Sequence, residues 1–244
     1  MSFIPIPGNK VEGIFHRRVN RFIGEVWVEG RLENVHVANT GRMRELLEEG
    51  AEVLLRKVDL PHRKTKFDLL MVYKDGILVS IDSKLPNQLL EKAFLNRELP
   101  GFAGFYEVKR EVTYGKSRLD LALRDPGKDR LALVEAKCVT LVKEGNLASF
   151  PDAPTTRGVK HVRELMTSVK EGYRAGVFFI IQREDGKVFT PNSEMDPEFG
   201  EAVTVAAKAG VEFYAYQCKV TPDDIRLGKE IPVVLGPSKV AVKD

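Results

Sequence analysis

Apolar and polar residues alternate along most of the first eighty positions, a period of two that sets residues i and i+2 on the same face of a strand. Runs of this kind cover residues 14–29, 31–39, 52–58, 67–73 and 77–82, with Gly30 at one junction and Lys74-Asp75-Gly76 at another. Asp-Gly between apolar runs signals a hairpin, because both residues tolerate the left-handed backbone of a tight turn. One short helical segment, residues 43–48, interrupts the series. At Ser83-Lys84-Leu85-Pro86 the pattern changes, and Leu89, Leu90, Ala93 and Phe94 then fall at helical spacing over residues 87–96. Strands are predicted at 105–114, 118–124 and 131–141. A helix follows from Thr156 to about Glu171, capped by Thr155 or Thr156 and closed by Gly172. Residues 176–181 read as a buried strand, Asp196-Pro197-Glu198 opens a helix stopped by Gly210, and residues 211–220 complete the sheet.

Five strands and one short helix in about eighty residues fit a small closed barrel, so an OB-fold is expected for residues 1–83. Residues 84–244 read as one mixed sheet with helices on its faces. The fold class expected is therefore α/β (α+β overall) in two domains. Composition changes this picture little. Lys and Arg number 38 against 35 Asp and Glu, a net charge of +3 that suits a polyanionic partner without demanding one. The two cysteines, Cys138 and Cys218, form no Cys-x-x-Cys motif and cannot build a disulfide framework. The first ten residues lack the apolar core of a signal peptide, and no run approaches eighteen apolar residues. The expectation is a cytoplasmic protein with no membrane partner; oligomeric state, a homodimer included, stays open.

Candidate chemistry concentrates in one hairpin. Residues 117–123 (SRLDLAL) and 133–141 (LVEAKCVTL) flank the turn Asp125-Pro126-Gly127-Lys128-Asp129-Arg130. If Asp125 pairs with Arg130, counting back sets Asp120 opposite Glu135. Glu135 and Lys137, two apart, project together. The same register gathers Leu119, Leu121 and Leu123 with Ala132, Val134 and Ala136 on the other, apolar face. A slip of one residue would mix the two faces, so burial favours the register that the chemistry needs.

An acid on one strand and Glu-x-Lys on the next, within the order α-β-β-β-α-β, resembles the PD-(D/E)XK nuclease superfamily. A closer resemblance covers most of the chain. Residues 150–165 (FPDAPTTRGVKHVREL), 38–43 (ANTGRM), 85–90 (LPNQLL) and 135–141 (EAKCVTL) resemble the sugar fermentation stimulation (SfsA) family, described as DNA-binding. That resemblance implies an N-terminal OB-fold fused to a PD-(D/E)XK nuclease-like domain. Two departures from its pattern, Val37-Ala38 and Ala136-Lys137-Cys138, touch no inferred ligand side chain. The implied site takes Mg²⁺ or Mn²⁺ on Asp120, Glu135 and the Ala136 carbonyl, with Lys137 beside it as the third catalytic residue. Hard cations of this kind prefer oxygen ligands and keep several waters. The superfamily often adds an acid from its first helix, for which Glu91 and Glu98 are candidates; Asn87 is a supporting one.

Cations for DNA are expected from two places. Arg157, Lys160 and His161 open the second helix, where positive charge opposes the helix dipole and so points to an anionic partner. On the barrel Arg17, Arg18, Arg42, Arg63 and Lys64 are candidates, accompanied by Arg21 and Arg44. Contacts of this kind go to phosphates and carry no sequence choice. Residues 31–39 and 52–58 hold no aromatic residue, and no helix-turn-helix is visible, so sequence-specific reading is not expected. The Gly115-Lys116-Ser117 tripeptide lacks the leading glycine and the helix of a phosphate loop. Two functions remain: a metal-dependent deoxyribonuclease, or a non-catalytic DNA-binding regulator of sugar metabolism genes on a nuclease scaffold.

Overall fold

The computed structural model describes residues 1–236, so positions 237–244 of the expected second domain lie outside the described residues. In the first half the strands are β1 (Phe3–Pro5), β2 (Lys10–Arg18), β3 (Ile23–Val28), β4 (Arg31–Val37), β5 (Glu52–Lys57), β6 (Phe67–Lys74) and β7 (Ile77–Ser80). The run 14–29, expected as one strand, is two. Asn20 breaks it by accepting the Phe22 and Ile23 N–H groups on Oδ1 at 2.9 and 3.1 Å, a side-chain turn that reverses the chain. Strands β2 to β6 close a barrel through the parallel pairing of β4 with β6, which is the OB-fold. Its interior is filled by Phe15, Val26, Val35, Val53, Leu55 and Val72 among others. Residues 43–48 form a single turn, with the Leu46 and Leu47 N–H groups donating to the Met43 carbonyl.

The second half holds α1 (Leu85–Leu95), β8 (Glu107–Tyr114), β9 (Ser117–Asp125), β10 (Arg130–Val139), β11 (Leu141–Lys143), β12 (Leu147–Phe150), α2 (Thr156–Lys170), β13 (Arg174–Ile181), β14 (Val188–Pro191), α3 (Pro197–Lys208), β15 (Glu212–Val220) and β16 (Asp224–Ile231). These elements include the α-β-β-β-α-β order expected from the sequence, with β11 and β12 added before α2. The main sheet runs β1-β16-β15-β13-β10-β9-β8, with β10, β13 and β15 parallel. It extends beyond residue 220: β16 pairs with β15, and Phe3–Pro5, from the head of the chain, pairs with β16 rather than with the barrel. The stretch expected as one strand over 131–141 ends at Val139, and β11, β12 and β14 make a separate three-stranded sheet.

Two apolar layers hold the main sheet. Leu89, Leu90, Ala93 and Phe94 of α1 pack with Leu121, Leu123, Val134 and Phe178 on one face. On the other, Val159, Val162 and Leu165 of α2 and Phe199 and Val203 of α3 pack with Leu133, Val177 and Phe179. The helix starts are capped as the sequence suggested. Thr155 Oγ1 accepts the Gly158 N–H at 3.0 Å, and Asp196 Oδ1 accepts the Phe199 N–H at 3.0 Å. Asp196 also accepts the Thr155 N–H on Oδ2 at 2.7 Å, so one carboxylate ties the two helix starts together.

Candidate active site

The site lies where β9 and β10 part. Arg130 pairs with Asp125, and the ladder runs on to Val134 opposite Leu121, the register expected from the turn. There it stops. In place of a further backbone pair, the Asp120 carboxylate accepts the Ala136 N–H on Oδ2 at 2.8 Å. A side chain substituting for a strand partner splays the two strands and breaks the alternation. Leu119, two residues on, accordingly joins the α2-side core instead of the layer holding Leu121 and Leu123. The other Asp120 oxygen, Oδ1, accepts from Asn87 Nδ2 at 2.7 Å, so the first helix contributes an amide to the site. The two acidic candidates on that helix side are engaged elsewhere. Glu91 faces Arg110 at 3.4 Å, and Glu98 binds the chain's N-terminus at 2.9 Å.

Glu135 is buried, with 3% of its surface exposed. Lys137 Nζ donates to its Oε1 at 2.6 Å, and His161 Nδ1 contacts the same oxygen. Its second oxygen, Oε2, is buried with no hydrogen-bond partner. An orphaned buried carboxylate oxygen is costly unless something else satisfies it. Burial pushes the Glu135 carboxyl upward, but Lys137 and His161 outweigh it and hold the group at about 2. Asp120 is shifted the other way, to about 6, by burial first and by the nearby Glu135 charge second. Two neighbouring carboxylates whose values are pushed apart mark a place suited to a cation. Among the described residues no group of three or more His, Cys, Asp or Glu side chains is arranged to hold a metal ion, so the protein would offer a divalent ion these two carboxylates and backbone oxygen. That donor set suits a hard cation that retains much of its water.

The DNA-binding candidates fall into distinct situations. Arg157 is exposed on the first turn of α2, and its Nε donates to His161 Nε2 at 3.4 Å. His161 is buried, 3% exposed, against Glu135. Lys160 donates to the Lys116 carbonyl and ties α2 to the β8–β9 hairpin. On the barrel Arg17 pairs with Glu25 at 2.6 Å, and Arg63 with Asp68 at 2.6 Å, where Arg56 joins at 2.7 Å. The Arg18 guanidinium donates to the carbonyls of Asn20, Arg21, Asn39, Gly41 and Arg42, and so shapes the 39–42 loop from within. Arg42 and Lys64 are exposed, and among the described residues their side chains form no ion pair.

A cleft of about 760 Å³ lies between the barrel and the second domain. Arg18, Arg21, Arg42 and Arg44 line it from the barrel, and Cys138, next to Lys137, and Asp152 from the other side. Asp152, which sequence reasoning missed, accepts the Met43 N–H on Oδ2 at 2.8 Å and so fastens the loop across the domain junction. Its only sequence signal is its place inside the long motif at 150–165.

Comparison with known proteins gives this architecture its place. Residues 17–81 match the description "SfsA N-terminal OB domain", and residues 84–224 match "Sugar fermentation stimulation protein RE domain". A sugar fermentation stimulation protein homolog of Alkaliphilus metalliredigens is 66% identical over 94% of this chain and 99% of its own length. The homolog of Acetivibrio thermocellus is 45% identical over 94% and 99%. The solved structure of Pyrococcus furiosus SfsA in complex with Ca²⁺ superposes with a TM-score of 0.86 at 32% identity, covering 96% of this chain and 99% of that one. The chain belongs to the sugar fermentation stimulation protein (SfsA) family.

Proposed function

We propose that this protein is a DNA-binding phosphodiesterase whose centre is Asp120, Glu135 and Lys137, supported by Mg²⁺ or Mn²⁺. In this reading the barrel unit is drawn from residues 1–83, except that β1 joins the sheet of the nuclease-like unit of residues 84–244. The observation that carries it is Glu135 Oε2, an unpaired buried carboxylate oxygen beside an Asp120 whose own carboxyl is raised to about 6. Asp120 and Glu135 would hold the ion, with the Ala136 carbonyl as a third protein oxygen. The Ca²⁺ complex of the Pyrococcus furiosus relative supports a divalent ion in this family. Bound there, the ion supplies water activation and charge neutralisation at a phosphate.

The chain's own groups have separable tasks. Asn87 and the Ala136 N–H fix both oxygens of Asp120. Lys137, 9% exposed and fixed by Glu135, is placed to hold the attacking water or to offset charge developing on the phosphate. Its charge also relieves the repulsion between the two acids. Arg42, Lys64, Arg21 and Arg44 are the cations offered to the DNA backbone, which gives affinity without sequence preference. No helix of the described residues is long and apolar enough to cross a membrane.

The alternative is a non-catalytic regulator that keeps the scaffold. Against it stands the retention of two close acids, one of them buried, which cost stability unless used. Incubating the protein with plasmid, linear and branched DNA, with and without Mg²⁺ or Mn²⁺, separates the two. Metal-dependent cleavage of any form is the expected result. Its absence on every form with both metals would leave the regulator.

A further inference from the structure

We infer that His161 and Arg157 form a positioning pair that locks the Glu135 carboxylate and presents its Oε2, rather than contacts to DNA; the inference rests on reading this site as a metal centre. The two residues are four apart on α2, so they stack on one face of the helix. His161 is almost fully buried, which removes it from any phosphate, and its ring bridges two groups. Arg157 Nε donates to its Nε2 at 3.4 Å. A guanidinium can only donate, so Nε2 must be the acceptor. The ring proton then belongs on Nδ1, which donates to Glu135 Oε1. This tautomer is assigned from the hydrogen-bond pattern.

The consequence is an asymmetric carboxylate. Lys137 Nζ and His161 Nδ1 both donate to Oε1, while Oε2 is buried and has no partner. Two donors from different elements, β10 and α2, stop the carboxylate from rotating. Only one oxygen is left for a ligand. Residues that orient a metal-binding group in this way commonly change metal affinity 10–100-fold when removed.

The test uses Ca²⁺ alone as the probe, titrated calorimetrically into the full-length, metal-free protein without DNA. Wild type should bind, and His161→Ala should bind about 10–100-fold more weakly. His161→Asn, whose amide donates from about the place of Nδ1–H, should stay within about threefold of wild type. Nitrogen-15 NMR of the imidazole should show the proton on Nδ1 in wild type. In Arg157→Ala the ring loses the donor that holds Nε2 as an acceptor, and Ca²⁺ affinity should fall. Should His161→Ala fail to fold, His161→Asn and the tautomer spectrum still decide. A folded His161→Ala that binds Ca²⁺ like wild type, or a wild type with its proton on Nε2, overturns the inference while leaving the metal centre standing. A wild type that binds no Ca²⁺ overturns both.

Discussion

At the scale of single residues, the centre is a balance of charges set by which groups are buried together. Asp120→Asn and Glu135→Gln keep shape and remove a ligating charge, and Lys137→Ala removes the adjoining cation. Each should suppress Mg²⁺-dependent cleavage by about two to four orders of magnitude. DNA affinity without metal should hold or rise for the two acid variants, since repulsion between carboxylate and phosphate is relieved; a gel shift and a cleavage assay on the same preparations read both. The pH dependence follows from Asp120. Its carboxyl, at about 6, lies above the ordinary value because burial and the Glu135 charge penalise the ionised form. A group raised on folding adds stability below its unfolded value, and that stability is lost as pH rises through the folded one. The metal-free protein should therefore melt at a lower temperature at pH 7 than at pH 5. Asp120→Asn should flatten that part of the profile. Glu135, held at about 2, stays ionised throughout the window. Affinity for a divalent ion should run opposite to stability and strengthen as pH rises through about 6, because the ion needs Asp120 ionised. Calorimetric titration at pH 5, 6 and 7 checks it, and a constant affinity would contradict the assignment of Asp120 as a ligand.

At the scale of elements, what was legible in the sequence is what local chemistry decides. The hairpin register was readable because Pro126-Gly127 fixes a turn and because a slip would put Asp120 into an apolar layer. The helix starts at Thr155 and Asp196 were readable because a cap is a local hydrogen bond. Less legible were events that depend on distant partners. Nothing near Phe3 announces that it pairs with Arg226 on β16, more than two hundred residues away. Nor does the text around Arg18 show that its guanidinium spans the 39–42 loop, since the acceptors are backbone carbonyls, which have no residue identity. On the proposed reading Arg18 would act on DNA binding through the loop it shapes. Arg18→Lys keeps the charge but loses the fork, and it should disorder the loop nearly as much as Arg18→Ala. Both should lower stability by about 2–3 kcal/mol and weaken DNA binding. If Arg18→Lys left both unchanged, the charge alone would matter and Arg18 would be an ordinary phosphate contact. Arg42→Ala should instead leave stability unaltered and reduce the slope of log affinity against log salt by about one contact.

At the scale of the whole molecule, the two domains are joined by more than a linker. Leu54, Leu70 and Met71 of the barrel, with Ile4 and Ile6, belong to the same apolar cluster as α1 and the main sheet. Gln182, at the end of β13, donates from Nε2 to the Ser80 and Asp82 carbonyls at 3.1 Å each, and its own carbonyl accepts the Ser80 N–H at 3.0 Å. Asp152 reaches across to Met43. These joints were invisible in the sequence, which showed only a change of period at residue 83. A shared core means that unfolding the barrel exposes apolar surface of its neighbour, so the two should lose structure together. The chain's single tryptophan, Trp27, reports on the barrel alone: it lies on β3, 45% exposed, between its cross-strand neighbours Ile14 and Leu32. Far-ultraviolet circular dichroism reports on both domains. In urea the Trp27 fluorescence and the dichroism should trace one transition with the same midpoint, and Leu70→Ala should shift both by the same amount. A fluorescence transition well before the dichroic one would mean that the barrel melts on its own, and the shared core would then contribute little to holding the cleft in shape.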